Sequence, residues 1–201
     1  PVVGSRREKS AETEQALKDA ARQVFAEHGY LNAKITDITT AAGRAAGSFY
    51  NHFASKEELL QALLRDMAVA SDERAADPEH NGDFTDPAAV RYHVRGYWTF
   101  AREHASVLRA MGQAAQVSPD FARIIAGFGA EQRTDIADHV ADFPERGLRL
   151  PGTVDASLAM MFAAVDGMLR MVEDGSVTLT DEEAIESITR FVYRGLTGRD
   201  Y

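Results

Sequence analysis

The chain has 201 residues, 45% of them hydrophobic and 26% charged, with no cysteine and a formal net charge of −9. That composition is that of a folded globular protein. It excludes a disulfide scaffold or a thiolate metal site and fits a cytoplasmic location. The opening P-V-V-G-S-R-R-E-K lacks the apolar segment of a secretory signal, and the longest apolar run, Leu158 to Val165, is only eight residues, too short to span a membrane. The charge is unevenly spread. Residues 1–65 carry nine Lys/Arg against eight Asp/Glu, and the remainder carries thirteen against twenty-three. Only the N-terminal part can therefore approach a polyanion without strong repulsion.

Taken in order, Ser5 to Lys9 reads as a basic arm, with Ser5 and Glu8 placed for a capping box. A first helix is expected from about Ser10 to His28, with Leu17, Ala20, Ala21, Val24 and Phe25 on one face and Gly29 ending it. Ile35, Ile38 and Ala42 give a second, short apolar face, and Gly43 follows where a left-handed residue must close the helix. A third short helix over about Ala45 to Asn51 puts Phe49 and Phe53 inward. Its outer side carries Ala46, Gly47, Ser48, Tyr50, Asn51 and His52. Two short helices around a glycine turn, the second with a slim polar face, form a helix-turn-helix able to enter a major groove.

Ser55 with Glu58 caps a fourth helix, whose stripe of Leu59, Leu60, Leu63, Leu64 and Met67 meets no proline or glycine before Asp77. Asp77 to Pro87 is a loop, and Asp86-Pro87 starts a fifth helix bearing Val90, Val94, Tyr97, Trp98 and Ala101. A sixth, from His104 to Gln116, offers Val107, Leu108 and Met111. Ser118-Pro119 starts a seventh whose face runs from Phe121 through Ile124, Ile125, Phe128, Gln132 and Ile136 to Val140. After a loop from Pro144, an eighth helix starts near Thr153 and a ninth near Thr180, where Glu183 completes another capping box. The periodicity is helical throughout, so the class is all-α with about nine helices.

F-A-E-H-G-Y at 25–30, T-D-I-T-T-A-A-G at 36–43 and G-S-F-Y-N-H-F-A-S-K-E-E-L-L at 47–60 together resemble the tetracycline-repressor (TetR) family of transcriptional regulators. The resemblance covers about the first third of the chain. It implies an N-terminal three-helix DNA-binding domain over 1–54 and a C-terminal helical effector-binding and dimerisation domain over 55–201.

On this reading Ala46 and Gly47 let the backbone approach base edges, and Ser48 and Asn51 hydrogen-bond to bases or phosphates. Tyr50 and His52 fall at family positions that hold phosphate. Lys34 and Thr36, at the start of the second helix, and Lys56, in the first turn of the fourth, face the backbone. Three positions depart from the family pattern. Arg44 replaces a small aliphatic residue, Ala45 replaces a capping serine at a cost of ~1 kcal/mol, and Lys34 replaces Ser or Thr. Arg44 and Lys34 add charge near the groove, so Arg44 joins the expected DNA contacts.

The eighth helix has two apolar stripes. One is Leu158, Met161, Phe162, Val165, Leu169 and Val172; the other is Ala156, Met160, Ala163, Gly167 and Met171. A surface helix needs one stripe, so the second is expected to meet another copy, with the homodimer formed by helices eight and nine (about 153–174 and 181–197). Tyr97, Trp98, Met111, Phe121, Ile125, Phe128 and Phe162 are expected to line an effector pocket, with His104 and Gln132 orienting the ligand. The expected function is a ligand-responsive repressor that binds a palindromic operator as a dimer and is released by a small, largely apolar effector. An activator, or a constitutive repressor without a pocket, is the alternative. No cofactor and no enzymatic activity are expected. Asp135, Asp138, His139 and Asp142 have metal-compatible spacing, but a solvated acidic face is the simpler reading, and a metal-binding helical enzyme is the weakest.

Overall fold

The computed structural model describes residues 6–75 and 80–201, with side chains from 71 to 75 left aside. Among them the chain forms nine α-helices and one short 3₁₀ turn. These are α1 Arg6–Asn32, α2 Ile35–Ala41, α3 Ala46–Phe49, α4 Lys56–Ala75, α5 Pro87–Glu103, α6 Ala105–Val117, α7 Pro119–Asp135, α8 Val154–Glu173 and α9 Asp181–Thr197, with the 3₁₀ turn at Ala137–Val140 between α7 and α8. The helices form two compact units, Pro1–Ala70 with His104–Ile125, and Ser71–Glu103 with Ala126–Tyr201.

The first unit is built on α1, which packs against α6 and α2. Leu17, Ala20, Ala21, Val24 and Phe25 are all buried, as their three- and four-residue spacing requires. Helix α1 begins earlier than its sequence pattern indicates. Arg6, Arg7 and Lys9 are helical, so the basic residues sit on its first turns and not in an arm; Ser5 lies outside the described residues. Gly29 breaks the helix at φ 70°, ψ 164°, and one further turn follows. The backbone N–H freed just past the break, that of Tyr30, donates to Gln113 Oε1 of α6 at 2.6 Å. At Gly29 a Cβ would come within 3.0 Å of the same amide, so a side chain there would displace the cap. Helix α4 contributes Leu59, Leu60, Leu63, Leu64 and Met67, all buried, and Asp66, which receives Lys18 and Arg22 of α1 at 3.1 and 3.3 Å.

In the second unit α5 packs on both α8 and α9. Val90, Val94, Trp98 and Ala101 of α5, Leu158, Met161, Val165 and Leu169 of α8, and Ile185, Ile188, Val192 and Leu196 of α9 are buried. Arg91 and Arg95 reach Glu182 across the rim of α5 and α9, and Arg102 pairs with Asp181. The sequence pattern continues α7 to Val140, but the helix ends at Asp135. Val140 belongs to the 3₁₀ turn, which buries His139 and Val140 and packs against α8. No helix among the described residues is long and apolar enough to cross a membrane.

Candidate nucleic-acid interface

The turn between α2 and α3 is fixed by backbone chemistry. Gly43 sits at φ +63°. Its N–H donates to Thr40 O at 3.0 Å, and the Arg44 N–H reaches back to Thr39 O at 2.9 Å. This pair of bonds satisfies two carbonyls that α2 leaves open, and it needs a left-handed residue at its centre. At the other end of α2 the Asp37 carboxylate accepts from the Lys34 N–H at 3.0 Å, supplying the half of a capping box that a lysine side chain cannot. Ile38 and Thr39 are buried beneath the turn.

Helix α3 is shorter than its sequence pattern indicates. Only Ala46–Phe49 is α-helical, and turn bonds from His52 and Phe53 back to Phe49 carry the chain onward. The cause is local: Ala45 offers no side-chain acceptor to the first turn, and Gly47 weakens the helix from within. Burial of Phe49 (0% exposed) and Phe53 (4%) holds the segment in place. Of the expected DNA contacts, Lys34, Thr36, Arg44, Ala46, Gly47, Tyr50 and Asn51 are exposed, while Ser48, His52 and Lys56 are half-buried. Tyr50 leaves 62% of its surface in solvent although its ring meets Phe49 edge-on. The side chains of Lys34 and Arg44 have no ion-pair partner among the described residues.

Two glycines serve different ends. The fold demands Gly43, whose φ is positive. The φ of Gly47 is not positive, and a Cβ added there would meet nothing within 4 Å. Nothing inside the chain calls for a glycine at 47, where it costs about 1 kcal/mol against alanine.

Lys56 has intramolecular partners that its position in the sequence does not reveal. Its ammonium donates to the carbonyls of Tyr30 (2.6 Å) and Ala33 (2.9 Å) and lies 4.3 Å from the Tyr30 ring centre. Burial pulls its pKa down, against the opposing pull of Glu57. The Tyr30 hydroxyl in turn donates to Glu57 at 2.9 Å, and its pKa is raised by burial and by that carboxylate. This network ties the end of α1 to the start of α4, and its two carbonyls take two of the three ammonium hydrogens.

The expected effector residues divide between the units. His104, Met111, Phe121 and Ile125 lie in the first, and Tyr97, Trp98, Phe128, Gln132 and Phe162 in the second. Met111, Phe121 and Trp98 are buried. Within the second unit Tyr97 meets Phe162 edge-on at 4.7 Å and donates to Asp166 at 3.0 Å. Asp166, absent from the sequence-based expectations, is half-buried, and burial raises its pKa. The buried Trp98 Nε1–H has no hydrogen-bond partner among the described residues. A separate groove in this unit is lined by Val140, Phe143, Leu148, Leu150 and Val154, none of them expected ligand contacts.

A second cluster of side chains, of which the sequence reading singled out only His139, lies elsewhere in this unit. His80, His93 and His139 bring their Nε2 atoms to 2.9–3.1 Å from one another. Burial pushes the His93 imidazole down to about 4, with the Ala89 carbonyl opposing and His139 and His80 adding to the shift. The acidic run around His139 is put to local use: Asp138 accepts from His139, and Asp142 pairs with Arg146.

A helix-turn-helix whose second helix shows small and polar groups to solvent, beside two uncommitted cations, defines a DNA-binding protein. Residues 17–63 match the family described as "Bacterial regulatory proteins, tetR family", so the helix-turn-helix stretch is similar to that of TetR-family transcriptional regulators. Over 70 residues it is 34% identical to the HTH-type transcriptional repressor AcnR of Corynebacterium efficiens, a match covering 35% of this chain and 37% of that one. The match thus spans little more than a third of that relative's length. It is 26% identical over 178 residues to the HTH-type transcriptional regulator TtgR of Pseudomonas putida, covering 84% of each. Among solved structures it is similar to FadR of Bacillus subtilis in complex with stearoyl-CoA. There the TM-score is 0.74 at 16% identity, over 90% of this chain and 98% of that one, a likeness of fold.

Proposed function

We propose that the protein is a ligand-responsive repressor that binds a palindromic operator as a homodimer and is released by a small, largely apolar effector. The observation that carries this reading is Gly47, a glycine that its own fold does not require, at the centre of an exposed helix. Its missing side chain lets the α3 backbone approach base edges. Ala46 is then placed for a thymine methyl and Ser48 and Asn51 for hydrogen bonds. Tyr50, His52, Thr36, Lys34, Arg44 and the remaining Lys56 hydrogen serve phosphates, fixing register without reading sequence. The DNA-binding domain is residues 1–54, and residues 55–201 take the effector and the second subunit.

One four-residue helix buries too little surface to select a site alone, so two are needed, set by two-fold symmetry. The second stripe of α8 supports that pairing. Met160 and Met171 are 51% and 44% exposed, and Phe191 of α9 is 70% exposed. Several large apolar side chains left in water on adjoining helices favour a partner surface. Repression is favoured by the AcnR relative, which is a transcriptional repressor. An apolar effector is favoured by Tyr97, Trp98 and Phe162, with Asp166 and the unpartnered Trp98 N–H as its polar anchors. The effector would favour one spacing of the two reading heads and shift the population off the operator.

The direct test is selection of bound duplexes from a random-sequence pool, followed by a compound screen for release. Recovered sites should be imperfect palindromes; enrichment of single half-sites by a monomer would sink the proposal. Phe191→Asp should give a monomer by light scattering and weaken operator binding by about 100-fold, the avidity lost with the second subunit. Arg44→Ala should lower the slope of log K against log salt by about one if its guanidinium meets a phosphate.

A further inference from the structure

The second unit carries a cluster of a different chemistry. Three of the chain's six histidines point the same ring nitrogen at one place. His80 Nε2 lies 3.0 Å from His93 Nε2 and 2.9 Å from His139 Nε2, and the third edge of the triangle is 3.1 Å. They come from three segments: the loop before α5, α5 itself and the 3₁₀ turn.

Proton placement makes this triangle unstable as it stands. His93 Nδ1 faces the Ala89 carbonyl at 2.9 Å, and His139 Nδ1 faces the Asp138 carboxylate at 2.6 Å. Both partners only accept, so in the neutral rings both Nδ1 atoms carry the proton and both Nε2 atoms are bare lone pairs. Those lone pairs confront each other across 3.1 Å. His80 has at most one Nε2–H to offer between them. A positive centre shared by all three nitrogens removes the conflict, and backbone carbonyl or carboxylate partners at Nδ1 are how metal-ligating histidines are oriented.

The surroundings are shaped to hold this arrangement. Phe84, fully buried, meets His93 and His139 edge-on at 4.8 and 5.1 Å. The Phe84 N–H donates to the His139 carbonyl at 3.3 Å, pinning the loop to the turn. At Gly82 a Cβ would come within 3.2 Å of the His139 ring, so a side chain there would press on the ring. His139 is buried while His80 is exposed, which gives an ion a way in.

We propose that His80, His93 and His139 form a binding site for a first-row divalent transition-metal ion, with Zn²⁺ as the reference ion. An ion about 2.05 Å from each nitrogen would stand roughly 1 Å out of the triangle's plane, with N–metal–N angles near ~95°. Three ligands on one face leave further positions for water or for a donor atom of a small molecule. An all-imidazole set selects Zn²⁺, Co²⁺, Ni²⁺ or Cu²⁺ over Mg²⁺ or Ca²⁺. Bound metal would lock the loop before α5 to α5 and the 3₁₀ turn. The site stands independently of operator binding.

The test uses the full chain without a polyhistidine tag, stripped with chelator and dialysed. Titration with Co²⁺ should give d–d absorption bands that saturate at one ion per chain and bleach on adding Zn²⁺. Elemental analysis after equilibrium dialysis should return one Zn²⁺ per chain. His80→Ala, at an exposed loop position, should weaken Zn²⁺ binding at least about tenfold, whereas His28→Ala, at a histidine outside the cluster, should leave it unchanged. Unaltered protein should melt at a higher temperature in excess Zn²⁺ than in chelator, as binding to the folded state alone requires. Stoichiometry far below one, unchanged affinity in His80→Ala, or a melting temperature indifferent to Zn²⁺ would each overturn the proposal.

Discussion

Helices α3 and α9 are built on opposite terms. Helix α9 runs for 17 residues. Its first turn is closed by a complete capping box, with the Thr180 hydroxyl accepting from the Glu183 N–H and the Glu183 carboxylate accepting from the Thr180 N–H. It ends on Gly198 at φ 66° and buries a continuous face. Helix α3 has four residues, no side-chain cap, and a glycine in its middle. By helix propensity alone α3 should not form, since isolated helices this short are unstable in water. It persists because Gly43 aims it and Phe49 and Phe53 anchor it. Stability is thus concentrated where the fold is scaffold and left out where a surface must stay thin.

The comparison can be broken most forcefully at the turn that aims α3. Gly43→Ala forces a side chain into the left-handed region at φ +63° and should cost about 1–2 kcal/mol. Thermal melts followed by circular dichroism should fall by several degrees. Gly43→Asn should recover most of that loss, because asparagine tolerates this conformation. Equal loss in both variants would mean that the space around residue 43, and not its backbone angle, is what matters.

A smaller effect separates the two N-termini. Thr180→Ala removes the cap of α9 and should destabilise by ~1 kcal/mol. Ala45→Ser installs the cap that α3 lacks and should stabilise by a similar ~1 kcal/mol. Operator affinity should be unchanged in both. If Ala45→Ser weakens DNA binding without changing the melt, the methyl of Ala45 is itself a contact and the missing cap serves recognition.

How much of this was legible beforehand follows from how local each feature is. The helix-turn-helix lies within a few turns of chain, and its determinants, apolar spacing, one glycine and two inward phenylalanines, are all side-chain identities. The capping box of α9 was equally readable, with Glu183 N–H donating to Thr180; at α4 only half of the expected box forms, Glu58 N–H donating to Ser55 while its carboxylate accepts from the Ala54 N–H. Lys56 was harder. Its partners are the carbonyls of Tyr30 and Ala33, and every residue has a carbonyl, so nothing in the sequence marks these two. The apolar run of α7 carried on past Asp135 because periodicity cannot distinguish a helix from the 3₁₀ turn that continues its phase. The histidine triangle was invisible for a topological reason. Its members are separated by 13 and 46 residues, and His139 stood among aspartates that suggested a solvated face.

The smallest change in free energy carries the sharpest distinction. At position 47, alanine replaces glycine in a short helix at ordinary φ, and its methyl meets no atom of the chain within 4 Å. Folding should therefore improve by about 0.5–1 kcal/mol, through helix propensity and a less flexible unfolded chain. Scaffold logic alone ends there and predicts a better protein. If α3 lies against base edges, the same methyl occupies the space between backbone and DNA. Operator affinity should then fall by about tenfold or more, equivalent to at least ~1.4 kcal/mol. Opposite signs in the melting temperature and in the operator titration are the expected result. A variant that gains stability and keeps its affinity would place α3 away from the groove and return Gly47 to the status of an unexplained residue.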